Sequence, residues 1–406
     1  MKRLLCALAA LLAVAKPAWA VPVGMGPMFS NTDAIPGAYN LSYANLANFR
    51  LALANTRAGV SDTVVNIIGD STSAGVNSTG AADAVYANAR VTSFPTDLAA
   101  QLTASGIPAS ADNWFGDGSA GAHGSTLAGY YPNVSDGSGW APSALGSNIP
   151  GGQPDQNSTT TNCLTTTTAL AEDHATIFYI STGSSASFTY QVDSGSVSGA
   201  NSTTGSGINT LTISLGASAT HSLCLQRTGS GTLYIAGVDF YNSTIHRVRI
   251  RNMGAGGSTT TQWAATASAW NPGLVLKSTA YQASLNIISL GINDWIYGVG
   301  AANTAANLTA IAGAVTTLGK SDVIIMTPFP TLTSVVTAAV QAPYVSSVRS
   351  VAGALNVPMI DWNGRVGGMA QAQSQGWAGS AAQYHPSIAG YEDIAAGVTR
   401  ALVGAF

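Results

Sequence analysis

The sequence predicts an α/β protein, a parallel sheet with helices on both faces, interrupted by an inserted antiparallel β-sandwich. Three observations predict it. In residues 45–105, and again from 246 onward, short β-branched apolar runs alternate with helical stretches, the order of strands buried on both faces. Between them, residues 110–243 are rich in Gly, Ser, Thr and Asn and carry closely spaced alternating segments, the texture of a sandwich. The composition, 46% hydrophobic and only 8% charged, can fill a large core and excludes a disordered chain.

The elements follow in order. Residues 1–20 read as a secretory signal: Lys2 and Arg3, an apolar run from Leu4 to Ala15, then Ala18-Trp19-Ala20 as a small-x-small cleavage site. The expected location is therefore secreted or periplasmic. Residues 21–40 are Pro/Gly-rich and should wrap the surface. Leu46, Phe49, Leu51 and Leu53 give 45–57 an amphipathic helix. Residues 63–68 read as a buried strand ending at Gly69, and 96–105 as a helix between Pro95 and Gly106. In the insert, strands are expected at 176–181, 186–192, 209–214, 221–226 and 232–238, with the Ser/Thr/Asn tract 156–168 as a long loop. Strands then return at 247–251, 285–290, 322–326 and 357–360, with helices at 301–318, 334–355 and 386–402. The expected division is a signal at 1–20, an α/β domain in two parts at 21–109 and 244–406, and the β insert at 110–243.

Charge narrows the function. The chain carries 15 Lys and Arg against 18 acids, a net charge of −3, and three of the cations fall in the first twenty residues. That excludes a basic nucleic-acid footprint. After the signal no apolar run approaches the ~20 residues that span a bilayer. Cys163 and Cys224 form an even pair in a chain read as exported, so one disulfide is expected, two buried thiols being the alternative. Neither has a Cys or His neighbour at metal spacing, and no metal or other cofactor is expected.

The chemistry should gather where strands end, because ligands bind an open parallel sheet at its carboxyl edge. Gly69-Asp70-Ser71 ends the first strand, Gly254-Ala255-Gly256-Gly257 the second, and Gly291-Ile292-Asn293-Asp294 the third; His385-Pro386 opens the last helix. A serine is a weak nucleophile until a base takes its proton, and imidazole suits that task. Acyl transfer also builds an oxyanion, which backbone N–H groups and an Asn amide can stabilise. Asp70 and Asp294 read as loop-stabilising residues. His123, His174, His221 and His246 have no metal-ligand spacing.

The stretches Ile68-Gly69-Asp70-Ser71, Gly254 to Thr259, Gly291-Ile292-Asn293-Asp294 and His385-Pro386-Ser387 resemble, in order, the four signature blocks of the GDSL, or SGNH, hydrolases. The resemblance implies a flavodoxin-like three-layer α/β/α fold and a serine esterase. It implies Ser71 as nucleophile and His385 as base. It also implies Ser71, Gly257 and Asn293 as oxyanion-hole donors, with Gly254 or Gly256 as alternatives to Gly257. One departure stands out. The family's last block reads D-x-x-H, and here Ala382 occupies the Asp position. Either a main-chain carbonyl near Ala382 orients the histidine, or an acid arrives from elsewhere, or the enzyme is impaired. An Asp restored at 382 is expected to raise turnover. Asp361 is the nearest acid in sequence, with a cap as its expected role.

The insert, through 179–193 and 235–241, resembles the jelly-roll inserts of bacterial carbohydrate esterases, including peptidoglycan O-acetylesterases. The expected substrate is an acylated polysaccharide or a small ester, acetyl or another short acyl group being removed. The insert is a candidate carbohydrate-binding unit, and Trp295 a candidate sugar-stacking platform. The competing readings are a lipase or arylesterase of the same fold, and a catalytically impaired carbohydrate-binding protein.

Overall fold

The structure is a computed structural model that describes residues 37–404 except 120–126, 144, 146–148, 160 and 202–204. The signal-like segment and His123 lie outside the described residues. The central sheet has seven strands: β1 (Ala38–Tyr39), β2 (Thr63–Gly69), β3 (Ala109–Ser110), β4 (Val248–Asn252), β5 (Leu285–Ser289), β6 (Asp322–Met326) and β7 (Met359–Ile360). Their spatial order is β1-β7-β6-β5-β2-β4-β3. All neighbours run parallel except β1, which pairs antiparallel with β7. The mixed α/β sheet carries the doubly wound order, with the switch point between β2 and β5. Both edge strands are two residues long, too short to leave a pattern in the sequence.

Side-chain alternation along the strands builds two cores. Val65, Ile67, Val248, Ile250, Leu285 and Ile287 face one layer, packed by α1 (Ala47–Arg57), α3 (Phe94–Ala104) and α8 (Ile388–Val403). Ile68, Ile288, Val323 and Ile325 face the other, packed by α6 (Ala301–Thr316) and α7 (Ala338–Ala354).

Between β3 and β4 the chain forms a six-stranded and a five-stranded antiparallel sheet. Ile177, Ile213, Leu215, Ile235 and Val238 of the first share one core with Leu164, Phe188, Leu223 and Leu225 of the second. The expected loop 156–168 contains strand residues instead, Asp155–Asn157 and Cys163–Thr167. Its threonines pair in register while Leu164 and Thr166 point inward. Cys163 and Cys224, on adjacent strands with Cα atoms 5.2 Å apart, are joined by a disulfide.

Two sets of contacts fix the insert on the α/β layer. Phe115 and Phe178 pack on Tyr281, with ring centroids 6.1 and 5.2 Å away. Arg247, just before β4, and Arg249 and Arg251 on its polar face make ion pairs: Arg247 with Glu172 at 2.8 Å, Arg251 with Asp239 at 2.7 Å, and Arg249 with Asp239 and Asp62. Asp239 is fully buried. Removing one partner of such a pair leaves an uncompensated charge, at a cost of about 3–5 kcal/mol. No helix among the described residues is long and apolar enough to cross a membrane.

Candidate active site

Ser71 opens α2 (Ser71–Ala74), the single turn that follows β2. The entry is tight. A Cβ on Gly69 would stand 2.0 Å from Ser73 Oγ, so only glycine lets the turn fold back on the strand. Asp70 caps the turn, its Oδ1 accepting from Thr72 N at 2.9 Å and Thr72 Oγ1 at 2.7 Å. Burial pushes the Asp70 carboxyl up to about 7 against those bonds. Ser71 N, in the first turn, has no intrahelical acceptor.

The glycine block lies beside this turn. A Cβ on Gly254 would meet Ala74 N at 2.2 Å, which is why β4 can run its end against α2 only without a side chain there. The block's N–H groups separate cleanly. Gly254 N donates to Asn252 Oδ1 at 3.0 Å, Ala255 N to Gly69 O at 2.9 Å, Gly256 N to Gly118 O at 2.6 Å, and Ser258 N to Ala255 O at 3.0 Å. Gly257 N alone in this run has no acceptor among the described residues. The alternatives Gly254 and Gly256 are thereby engaged elsewhere. A side chain on Gly256 would begin 3.7 Å from Ser71 Cβ, so the block faces the serine.

Asn293 stands in α5 (Ile292–Tyr297), one turn past β5. Its Nδ2 donates to Ser258 O at 2.9 Å and keeps a second hydrogen. Asp294 is buried and binds Thr260 N at 3.0 Å, Thr304 Oγ1 at 2.9 Å and Thr260 Oγ1. It pins α4 (Thr260–Ala264) to α5 and reaches no reacting group.

His385 precedes α8. Its Nε2 lies 3.0 Å from Ser71 Oγ, and its Nδ1 lies 3.0 Å from the main-chain oxygen of Asp83. Burial pulls the imidazole down to about 4, against the pull of the Asp83 carboxylate. His385 is therefore neutral over most of the pH range, with Nε2 free to accept a proton. The expected carbonyl near Ala382 is engaged elsewhere, since Ala382 O accepts from Gln373 Nε2 at 2.9 Å. Asp361 is also elsewhere, bound to Thr327, Gly364 and Arg349.

Trp295 is not open for stacking. It is 3% exposed, its indole N–H donates to Thr331 Oγ1 at 2.9 Å, and its ring meets Tyr344 edge-on. The open aromatic of that helix is Tyr297, 61% exposed. Sequence reasoning also missed Arg90, which donates to the carbonyls of Asn252 at 3.3 Å and Gly254 at 2.8 Å and so braces the glycine block. His174, His221 and His246 pair with Asp173, Asp193 and Asp62, and among the described residues no acidic, His and Cys group fits a metal.

The fold and this site define an ester hydrolase of the doubly wound α/β class. Residues 215–392 match the model of the GDSL-like Lipase/Acylhydrolase family, a segment that includes Asn293 and His385 and leaves out Ser71. A solved structure of a peptidoglycan O-acetylesterase is similar over 91% of this chain and 99% of its own, at 18% identity and a TM-score of 0.67, a likeness of fold. A lipase/acylhydrolase from Enterococcus faecalis matches at 19% identity, over 39% of this chain and 77% of its own, with a TM-score of 0.33. A family two carbohydrate esterase from Clostridium thermocellum in complex with cellohexaose matches at 13%, over 62% and 96%, with a TM-score of 0.29. The last two likenesses are too weak to carry an argument. No curated protein matches the chain.

Proposed function

We propose that the protein is an exported serine esterase that removes acetyl or other short acyl groups from an acylated polysaccharide. The observation that carries the reading is the 3.0 Å contact of Ser71 Oγ with His385 Nε2 at the sheet's switch point. Ser71 Oγ attacks the ester carbonyl while His385 Nε2 takes its proton. The new oxyanion accepts hydrogen bonds from Ser71 N, Gly257 N and Asn293 Nδ2. His385 returns the proton to the leaving sugar oxygen as the C–O bond breaks, leaving an acyl-enzyme. His385 then takes a proton from water, whose oxygen attacks the acyl carbon, and returns that proton to Ser71 Oγ as the acyl C–O bond breaks, releasing the carboxylic acid and restoring Ser71 and neutral His385.

Export is supported by the signal-like first twenty residues and by the Cys163–Cys224 disulfide, a bond that persists in oxidising compartments. A carbohydrate substrate is supported by the two-sheet insert, read as a jelly-roll-like unit, which reaches the site through Gly118 and Gly256. It is supported further by the likeness of fold to the peptidoglycan O-acetylesterase. The test is acetate release from acetylated xylan and O-acetylated peptidoglycan beside 4-nitrophenyl acetate, with Ser71→Ala as control. Release from the glycans that Ser71→Ala abolishes is expected. Turnover of the small ester alone would overturn the polysaccharide reading.

A further inference from the structure

We infer that Asp83 is the positioning residue for His385, acting through its carbonyl and its carboxylate at once and replacing the acid that Ala382 does not supply. The inference rests on the Ser71–His385 chemistry proposed above. A carbonyl oxygen can only accept, so the 3.0 Å contact between Nδ1 and Asp83 O places the imidazole proton on Nδ1 and leaves the Nε2 lone pair toward Ser71. The tautomer is thus set by main chain. Asp83 Oδ1 stands 3.9 Å from Nδ1, too far for a hydrogen bond and close enough for attraction to an imidazolium.

The carboxylate cannot swing closer, because the same Oδ1 accepts from Gln383 N at 2.8 Å. Asp83 sits in a hairpin of Asn77–Thr79 and Ala82–Val85 just past the nucleophile turn. That hairpin grips the histidine loop along its length. Ser78 Oγ donates to His385 O at 2.8 Å, Ser78 N donates to Pro386 O at 2.7 Å, Ser78 Oγ accepts from Gly379 N at 2.8 Å, and Gly80 O accepts from Ala381 N at 3.0 Å. The hairpin and the loop 379–386 form one hydrogen-bonded unit, in which the acid arrives from the nucleophile's side of the chain. Among the described residues Ser71 also meets the ring, and the ring of Tyr384 stands edge-on to it at 4.7 Å; Asp70, next to Ser71 in the chain, is held by Thr72.

The test compares Asp83→Asn, Asp83→Ala and His385→Ala on 4-nitrophenyl acetate, with thermal unfolding as a check on the fold. Asn keeps an acceptor for Gln383 N and loses only the charge. Asp83→Asn should keep KM and lose roughly ten- to a hundredfold in kcat, the factor for removing one charge at this distance from a developing imidazolium. The acid limb of its kcat/KM profile should move to lower pH, since the attraction that raises the imidazole pKa is gone. Asp83→Ala should lose more, because the histidine loop loses its anchor. A folded Asp83→Asn variant with wild-type kcat and an unmoved acid limb, beside an inactive His385→Ala, would overturn the inference alone. An active His385→Ala would instead overturn the Ser71–His385 reading and the inference with it.

Discussion

Asn293→Ala removes one of three expected oxyanion donors, and its cost divides into two measurable parts. Asn293 Nδ2 carries two hydrogens, one held by Ser258 O at 2.9 Å and one available to the oxyanion. Loss of a single side-chain donor of this kind lowers kcat by about 10²–10³, or ~2.7–4 kcal/mol. Because the donor matters most as charge develops on the oxygen, KM should change little. The first hydrogen contributes to stability. Ser258 is fully buried, and its carbonyl would lose this donor at a cost of ~1–3 kcal/mol. The assay is steady-state hydrolysis of 4-nitrophenyl acetate together with denaturant unfolding. A kcat within about threefold of wild type in a variant that shows the stability loss would refute the oxyanion role and leave Asn293 a structural bond.

Three further outcomes follow. Because burial holds the His385 pKa at about 4, kcat/KM should stay flat from neutral pH down to roughly 5 and fall through about 4 as the base is protonated; an acid limb near 6.5 would contradict that burial effect. Ala382→Asp, expected from sequence to raise turnover, should instead give no gain and lower the melting temperature, since Ala382 is fully buried and Nδ1 already meets Asp83 O; a clear rise in kcat would refute this. Replacing Cys163 and Cys224 by Ser should destabilise the protein by up to ~4 kcal/mol in the chain-entropy account, read from denaturant midpoints, and an unchanged midpoint would count against it.

How much of this was legible depended on whether a feature is local. The strands at 63–68, 285–290 and 322–326 are written as β-branched apolar runs because both their faces are buried, and that at 247–251 as an alternation of arginine with Val248 and Ile250; β2, β5, β6 and β4 lie there. Ser71, the glycine block, Asn293 and His385 were visible because each follows directly on such a strand or opens a helix. The hairpin at 77–85 was not, since it is tied down by the bonds of Ser78, Gly80 and Asp83 to the histidine loop and not by an apolar stripe of its own. Asp83 acts on a residue 302 positions away, and that separation leaves no mark in local spacing. Trp295 misled for a related reason: a ring beside the Asn293 block looks exposed in sequence, while α5 turns it into the Tyr344 cluster and leaves Tyr297 outside. That Gly257 N, unlike its neighbours in the glycine block, has no acceptor among the described residues shows only in the folded hydrogen bonds and leaves no mark in the sequence.

The central claim is that Ser71 Oγ, paired with His385 Nε2, forms the acyl-enzyme. Its most direct measurement is intact-protein and peptide mass spectrometry after treatment with a fluorophosphonate, which phosphonylates an activated serine. A single adduct on the peptide containing Ser71, matching complete loss of esterase activity and absent from Ser71→Ala, is the predicted result. An adduct on another serine, or hydrolysis that persists in Ser71→Ala at more than about a thousandth of the wild-type rate, would contradict the claim.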